Sequence, residues 1–372
     1  MSSEKTLCIA TGIFPPDTGG PAKFADTYSE WARLHGKQVS FVSLTDGPDS
    51  IKSFGGFHTT LISRRHPFLV RFLKTTMALV KVGKSDQRIL ANGLFLEILV
   101  ASYLNPRKPY FTKVPGDIVW ERARNVGYTN LTIDEFQNAR LNWKWWFFRK
   151  LFTSSLKRSR IVVVPSKHLL DLCVRWGVKL ENIRLIYNSV NTNNFTPARE
   201  RKSWDVITVC RLVPWKGINQ IIEACAKLDL KLCVVGDGPQ RSELESLASK
   251  VGCEAEFLGN HTQIEVKKLL DKSKVFVLNS SFEATAYALI EARASGLPSI
   301  ARRNTGSEEV IEHGVNGFLC DEKLTLLEAL KELLNNQDLL ETFSVRGIED
   351  SRNRFNFETN FKDIYDFVMD SK

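Results

Sequence analysis

From residue 206 onward, short apolar runs alternate with amphipathic stretches, and this alternation constrains the fold more than any other feature. Val206–Cys210, Leu232–Val235, Glu256–Leu258, Val275–Leu278 and Ser299–Ala301 read as strands. Ile218–Leu228, Gln240–Lys250, Ile264–Asp271 and Ala286–Ser295 fit helices between them. Short strands that are apolar throughout need cover on both faces. A β-α-β-α order of this kind predicts a parallel sheet with helices on each side.

The earlier part of the chain follows the same plan less cleanly. Strands are expected at Thr6–Ala10, Val39–Leu44, Ile89–Ala91, Tyr110–Val114 and Ile161–Val164. A helix from about Ala22 to Leu34 carries Phe24, Tyr28, Trp31 and Leu34 at helical spacing. Two such halves make two Rossmann-like α/β domains. The joint is the polar, Asn-rich stretch IYNSVNTNNFTPARERKSWD, which places the boundaries at residues 1–193 and 194–352.

With 372 residues the chain is long enough for two cores. An apolar fraction of 43% and a charged fraction of 25% exclude disorder as the main state. The net charge of +9 favours anionic partners: phosphorylated substrates, an anionic membrane surface or nucleic acid. No recognised nucleic-acid module is present, so nucleic acid is not expected as a partner. The seven cysteines include no C-x-x-C pair, and Cys8, Cys210 and Cys233 sit in apolar runs. They read as buried free thiols in a reducing compartment. The start MSSEKTLCIATG runs directly into a strand, so no signal peptide is expected. No apolar stretch approaches the roughly 18–20 residues of a membrane span. The expected location is the cytoplasm, with peripheral attachment to the inner face of the cytoplasmic membrane. The N-x-S/T triplets at Asn130, Asn194, Asn260 and Asn279 are then chance matches.

In an open parallel sheet, ligands bind beyond the carboxyl ends of the strands. The loops expected there are PPDTGGPAKF, PGDIVWERAR, RLVPWKG, GDGP and SSFEATAYALIEA. Gly19 and Gly20 precede a helix, where paired glycines let backbone approach an anion and the helix end favours negative charge. A tight turn without a ligand is the plainer reading. The stretch is not a phosphate-binding P-loop, and VVGDGP is not a dinucleotide fingerprint. Arg211 is planar and forked, and Lys216 is a point charge on a flexible stem; both types suit a diphosphate. The alternative is a pair of solvated cations, against which Pro214, Trp215 and Gly217 stiffen the turn. Glu283 follows a strand, and Glu291 lies eight residues on, in an apolar helix, near enough in angle to share a face with it. A half-buried carboxylate needs donors, and sugar hydroxyls supply them. An N-cap role for Glu283 and a surface place for Glu291 are the plainer readings.

In this combination and order, PPDTGGPAKF, VPSKHLLDLCVRWGV, IYNSVNTNNF, RLVPWKG, VVGDGP, the pair Glu283 and Glu291, and GVNGFL make a specific signature. The chain resembles the retaining GT-B glycosyltransferases of family 4 over nearly its whole length, most strongly over residues 160–320. The resemblance implies two Rossmann-like domains with parallel sheets facing across a cleft. The donor would be a nucleotide-diphosphate sugar, and no cofactor is implied. Arg211 and Lys216 would hold its diphosphate, and Glu291 its ribose. Glu283 would contact the donor sugar, with the backbone of Ala284, Thr285, Ala286 and Tyr287 around it. Gly19 and Gly20 would approach the diphosphate or the anomeric centre, Gly236 would lie in the donor site, and Phe257 and Leu258 would lie near the base. The C-terminal helix, about Phe355 to Met369 within residues 353–372, would return to the first domain. Many family members carry a histidine after the strand equivalent to Tyr110–Val114; here Pro115 stands in its place. Asp117 is the nearest ionisable residue beyond that strand, either as a catalytic group or as the N-cap of IVWERAR.

The chemistry implied is sugar transfer with retained configuration, in which Arg211 and Lys216 stabilise the leaving diphosphate. No D-x-D pair is present to hold a metal, so none is expected. Two basic, aromatic segments bear on the acceptor. SRRHPFLVRFLK, residues 63–74, suits a membrane or acceptor contact. In residues 141–160, Leu141, Trp145, Phe148, Phe152 and Leu156 form a helical stripe that Trp143, Phe147 and Leu151 widen. That stripe reads either as core packing or as an interfacial helix on an anionic membrane. A membrane contact implies a lipid-linked saccharide acceptor, its absence a soluble one.

Overall fold

The apolar runs become the strands of two separate sheets in the computed structural model, which describes residues 6–371 apart from 86, 196, 198–201, 304 and 305. Part of the polar joint therefore lies outside the described residues. The chain divides into two units. Unit 1 runs to Asn188 and resumes at Phe357; unit 2 is Ser189–Asn356.

In unit 1 the strands are β1 (Leu7–Thr11), β2 (Val39–Thr45), β3 (Ser50–Phe54), β4 (Phe57–Ser63), β5 (Arg88–Asn92), β6 (Tyr110–Lys113), β7 (Ile161–Val164) and β8 (Ile183–Leu185). The helices are α1 (Gly20–Leu34), α2 (Phe68–Lys84), α3 (Phe95–Leu104), α4 (Ile118–Asn125), α5 (Ile133–Asn138), α6 (Trp143–Arg158) and α7 (Lys167–Arg175). The sheet order is β3-β4-β2-β1-β5-β6-β7-β8. All neighbours are parallel except β3, which pairs antiparallel with β4. This hairpin is absent from the sequence reading. Its edge strand SIKSF is mostly exposed, so no apolar run marks it.

In unit 2 the strands are β9 (Trp204–Val209), β10 (Leu232–Val235), β11 (Ala255–Gly259), β12 (Ser273–Leu278), β13 (Ser299–Arg302) and β14 (Phe318–Cys320). The helices are α8 (Ile218–Lys227), α9 (Arg241–Val251), α10 (Gln263–Asp271), α11 (Tyr287–Ala294), α12 (Leu326–Leu334) and α13 (Gln337–Arg354). The strands run parallel in the order β11-β10-β9-β12-β13-β14. One face buries Val206, Leu232, Val234, Val275 and Val277 against Ile218, Ile221, Ile222, Leu330 and Leu333.

Both sheets are doubly wound α/β sheets, as the alternation of strands and helices predicts. In each, strand order reverses beside the unit's first strand, between β1 and β5 and between β9 and β12. Loops diverge at such a reversal and leave a crevice at the carboxyl ends.

The crossings between units fall at 188/189 and 356/357, where the sequence suggested 193/194 and 352/353. The Val190 N–H donates to the Phe355 carbonyl at 3.0 Å, and Val190 bridges Asn356. The incoming and outgoing segments of unit 2 thus pair with each other. The last helix, α14 (Phe357–Asp370), belongs to unit 1. It presents Phe357, Phe361, Ile364 and Val368 at helical spacing, all buried. The Phe361 ring lies 5.5 Å from Phe24 and 5.0 Å from Tyr28 on α1. Truncating a buried Phe of this kind to Ala costs about 3–5 kcal/mol. No helix among the described residues is long and apolar enough to cross a membrane.

Candidate active site

In unit 2, the loops leaving β9 and β12 are stitched together. After β9 the chain passes Arg211 and makes a tight turn, Pro214–Lys216, closed by Gly217 at φ 60°. A Cβ at Gly217 would lie 2.6 Å from Asn279 Nδ2, so both backbone sign and space demand glycine there. Asn279, at the end of β12, donates to the Gly217 carbonyl at 3.0 Å and to Gln220 at 2.5 Å. The Ser281 N–H donates to the Trp215 carbonyl at 2.8 Å. These bonds set Lys216 opposite Glu283, and the Lys216 ammonium donates to Glu283 Oε1. The two side chains are only 16% and 13% exposed. Arg211, earlier on the same loop, is exposed and makes no side-chain hydrogen bond or ion pair among the described residues.

The Glu283 loop is fixed from the far side by the loop after β13. The Gly306 N–H donates to the Glu283 carbonyl at 2.8 Å. A Cβ at Gly306 would stand 1.5 Å from the Ala284 carbonyl oxygen. The sequence reading missed Gly306, because nothing local tells which loop it meets. Ala284, Thr285 and Ala286 are buried and lead into α11, whose N-cap Ala286 supplies no side-chain cap. Free N–H groups at a helix start favour an anion. Within α11, Glu291 is buried and accepts from Gln263 Nε2 at 3.2 Å. The Tyr287 hydroxyl is buried without a hydrogen-bond partner among the described residues, and so is Ser280 Oγ. Burial, followed by the charge of Glu291, pushes the Tyr287 phenol well up. Arg293 anchors α11 from within, donating to the Asn316 carbonyl at 2.7 Å and to Asp350 at 3.0 Å.

Gly236, after β10, has φ 120°, and a Cβ there would meet the Cys210 carbonyl oxygen at 2.0 Å. It welds the GDGP loop to the Arg211 loop, where the Leu212 N–H donates to the Asp237 carbonyl at 3.0 Å. Phe257 and Leu258 lie on β11, two strands from β9. The Phe257 carbonyl accepts from Arg241 at 2.9 Å. Arg211, Lys216, Glu283 and residues 284–287 are thus brought to neighbouring loops. Gly236 joins them by backbone, and Glu291 follows one turn into α11.

In unit 1, Gly19 is the N-cap of α1 at φ 141°, with no side-chain cap, and Gly20 begins the helix. Beyond β1, Arg64 donates to the Gly12 carbonyl at 3.0 Å and pairs with Asp17. A Cβ at Gly93, after β5, would lie 3.0 Å from the Gly12 N atom. Asn92 Oδ1, at the end of β5, is buried without a partner.

Asp117 requires a correction. Its Oδ1 accepts from the N–H groups of Val119 at 2.9 Å and Trp120 at 3.1 Å, and its Oδ2 from Gln137 at 2.9 Å. It is the buried N-cap of α4, and burial raises its pKa. Both oxygens are committed to holding the helix, so the catalytic expectation gives way to the capping one.

Lys113, at the end of β6, went unnoticed in the sequence. It is buried, donates to Asn188 Oδ1 at 2.7 Å and sits 5.1 Å above the Phe24 ring. No carboxylate pairs with it among the described residues, and burial lowers its pKa to about 7. A lysine in a strand ordinarily reads as a surface residue, so no sequence signal marked it.

The two aromatic segments divide. On α6 only Phe152, Ser155 and Leu156 are buried. Trp143 is 73% exposed, and Trp146 and Phe147 are about half exposed. Lys144 and Lys150 ride over Trp143 and Trp146. On α2, Phe68, Leu69, Leu73 and Met77 are exposed. Both helices start at the carboxyl edge of the sheet, so both apolar ends lie toward that edge.

Comparison with known proteins adds the following. Residues 190–350 match the family described as Glycosyl transferases group 1. N-acetyl-alpha-D-glucosaminyl L-malate synthase of Bacillus anthracis is 31% identical over 167 residues, covering 42% of this chain and 44% of that one. A lipopolysaccharide core biosynthesis glycosyltransferase, LpsD, of Rhizobium meliloti is 31% identical over 163 residues, covering 43% and 47%. The chain thus spans about half the length of the curated relatives it matches. Among solved structures, Anabaena Alr3699/HepE in complex with UDP-glucose aligns with TM-score 0.78 at 17% identity, over 99% of this chain and 100% of that one. At that identity the likeness shows the fold.

Proposed function

We infer, from a second unit that belongs to the glycosyl transferases group 1, that this chain is a retaining, metal-independent glycosyltransferase. It moves a hexose-type sugar from a nucleotide-diphosphate sugar to an acceptor hydroxyl. The acceptor is a lipid-linked saccharide in surface polysaccharide or lipopolysaccharide assembly. The observation that carries the reading is the meeting of Lys216 and Glu283 at the strand-order reversal, with the exposed Arg211 on the same loop as Lys216.

The chemistry follows from charge. As the bond to the anomeric carbon breaks, negative charge grows on the diphosphate and positive charge on the sugar ring. Preplaced cations stabilise that leaving group without rearranging at the moment of reaction. Lys216 and Arg211 supply two positive charges, and the uncapped start of α11 adds N–H donors. A diphosphate would draw the Lys216 ammonium from Glu283 and free that carboxylate to accept from sugar hydroxyls. Glu291, which accepts from Gln263, would take the ribose hydroxyls. With no carboxylate assigned beneath the anomeric carbon, a front-face route fits retention, the leaving phosphate taking the acceptor proton.

The acceptor reading rests on the exposed apolar ends of α2 and α6 with their lysines and arginines, which suit a peripheral contact with the inner face of the cytoplasmic membrane. The name of the LpsD relative supports it. A soluble acceptor is the competing reading, favoured by the name of the malate synthase relative. Flotation with anionic liposomes separates the two: failure to float at any ionic strength would remove the membrane. A thermal-shift screen of nucleotide diphosphates and nucleotide-sugars tests the donor, because a ligand of the native state raises apparent stability. No shift with any of them, and no hydrolysis of any nucleotide-sugar, would remove the transferase reading. Binding without hydrolysis would leave a non-catalytic nucleotide-sugar-binding protein.

A further inference from the structure

A cavity of about 730 Å³ opens at the amino ends of β6, β7 and β8, the edge of the unit 1 sheet away from the Gly19–Gly20 loop. Its volume falls in the range of roughly 300–1,000 Å³ usual for small-molecule sites. Arg107, Lys108, Arg158, Arg160 and Arg184 line it, with Glu181 as the one carboxylate side chain among the described residues of the lining.

Cations on a surface usually find carboxylates or are scattered. Here four arginines gather around one cavity, and none of the four makes an ion pair among the described residues. Arg158 is held by Ser102, through its Oγ at 2.6 Å and its carbonyl at 3.0 Å. Its guanidinium also stacks 4.0 Å from the Tyr103 ring. Arg184 donates to the carbonyls of Glu181 at 2.8 Å and Ile183 at 2.9 Å. Neutral oxygens fix these two forks in place, no carboxylate of the described residues pairs with them, and further N–H donors remain. Arg107 and Arg160 make no side-chain hydrogen bond or ion pair among the described residues. Glu181 lies 3.6 Å from Lys179, outside the lining. The crowding is felt nearby: burial, then the charge of Arg160, lowers the pKa of Arg88. Arg88 in turn donates to the carbonyl of Ser371, another lining residue.

We propose that this cavity is a second anion site, taking a ligand that carries two or more phosphate groups, held by Arg107, Arg158, Arg160 and Arg184. It stands on unit 1 alone and does not depend on the donor reading of unit 2. Positioned forks with uncancelled charge match phosphate in geometry as well as sign.

Calorimetric titration of the full chain with tripolyphosphate tests it. Arg107→Glu/Arg160→Glu is the informative variant, because neither side chain holds any part of the fold. Each reversal removes an attraction and adds a repulsion, so affinity falls about tenfold or more. Lys216→Ala, which disables the proposed donor clamp, keeps the cavity's binding. Lys250→Glu/Lys331→Glu, the same change in net charge at exposed sites elsewhere, also keeps it. An unchanged affinity in Arg107→Glu/Arg160→Glu, or an equal loss in Lys250→Glu/Lys331→Glu, overturns the proposal. Vesicles of phosphatidylcholine and cardiolipin then identify the source of the phosphate. Flotation competed by tripolyphosphate and lost in Arg107→Glu/Arg160→Glu assigns a lipid head group. Flotation indifferent to that variant, with tripolyphosphate binding lost in it, assigns a soluble ligand.

Discussion

The two strand-order reversals share one topology and differ in what they carry. At β9/β12 the loops bear Arg211, Lys216 and Glu283, and backbone bonds through Trp215, Gly217 and Gly306 hold them to each other. At β1/β5 the loops bear glycines and Asn92, with Arg64 and Asp17 tying the loop to the end of β4. The first is charged and cross-linked by hydrogen bonds, as the proposed diphosphate clamp requires. The second is nearly neutral at its centre, with apolar helix starts on α2 and α6 along the same edge. One fold plan thus presents two different sets of loops, because the sheet fixes where they emerge and the loop residues decide their chemistry.

The sharpest break of this comparison is Lys216→Ala. Turnover is expected to fall about 10²–10³-fold, while circular dichroism and melting temperature stay close to those of the parent. Near-normal turnover would leave the charged reversal without its assigned task. Gly306→Val comes next, since any side chain there collides with the Ala284 carbonyl. Unit 2 should lose about 1–3 kcal/mol in chemical denaturation, and nucleotide diphosphates should no longer raise its melting temperature. Retained nucleotide binding would show that the Glu283 loop needs no support from the loop after β13.

On the unit 1 side, Trp143→Ser/Trp146→Ser/Phe147→Ser should weaken flotation with anionic vesicles about tenfold. The exposed positions predict little change in stability, so a large drop in melting temperature would count against a free docking face. Lys113 gives a smaller, pH-dependent effect. Its folded pKa, about 7, lies below that of a lysine in the unfolded chain. Between the two values the unfolded chain holds the extra proton, so stability rises with pH from about 7 toward 10. Below pH 7 the full cost of the buried charge is present. Each kcal/mol recovered moves the melting temperature by about 2–4 °C in a unit of this size. Lys113→Met should flatten that rise; an unaltered profile would assign it to other groups. The smallest effect belongs to Asp117→Asn, which keeps an N-cap oxygen. Turnover within about twofold is expected, and a hundredfold loss would return Asp117 to the chemistry.

The strands were legible wherever an apolar run was bounded on both sides. Ile161–Val164 and Leu232–Val235 agree residue for residue. The edge strands β3, β8 and β14 were not, being either exposed or only three residues long. The residues of the charged reversal were visible one at a time, as cations and carboxylates at strand ends. Their meeting was not, because it depends on β9 lying beside β12, a pairing between distant segments that no local pattern encodes. The stripe on α6 shows the opposite limit. Its periodicity runs the length of the helix, yet burial does not: Phe152 meets Phe95 at 4.9 Å and Trp176 at 5.3 Å, Trp145 and Phe148 are half-buried against Tyr128 and Arg122, and the flanking Trp143 and Phe147 are exposed. Periodicity reports a face and leaves open what, if anything, lies against it.

The return of α14 to unit 1 has a consequence for how the chain is made. Unit 2 is continuous, and every residue of it leaves the ribosome before Phe357 does. Unit 1 cannot cover Phe24 and Tyr28 until Phe361 arrives. At roughly 5–20 residues per second of synthesis, that face of α1 waits for tens of seconds beside a growing chain. Of the two units, the one whose synthesis begins first is therefore the one completed last.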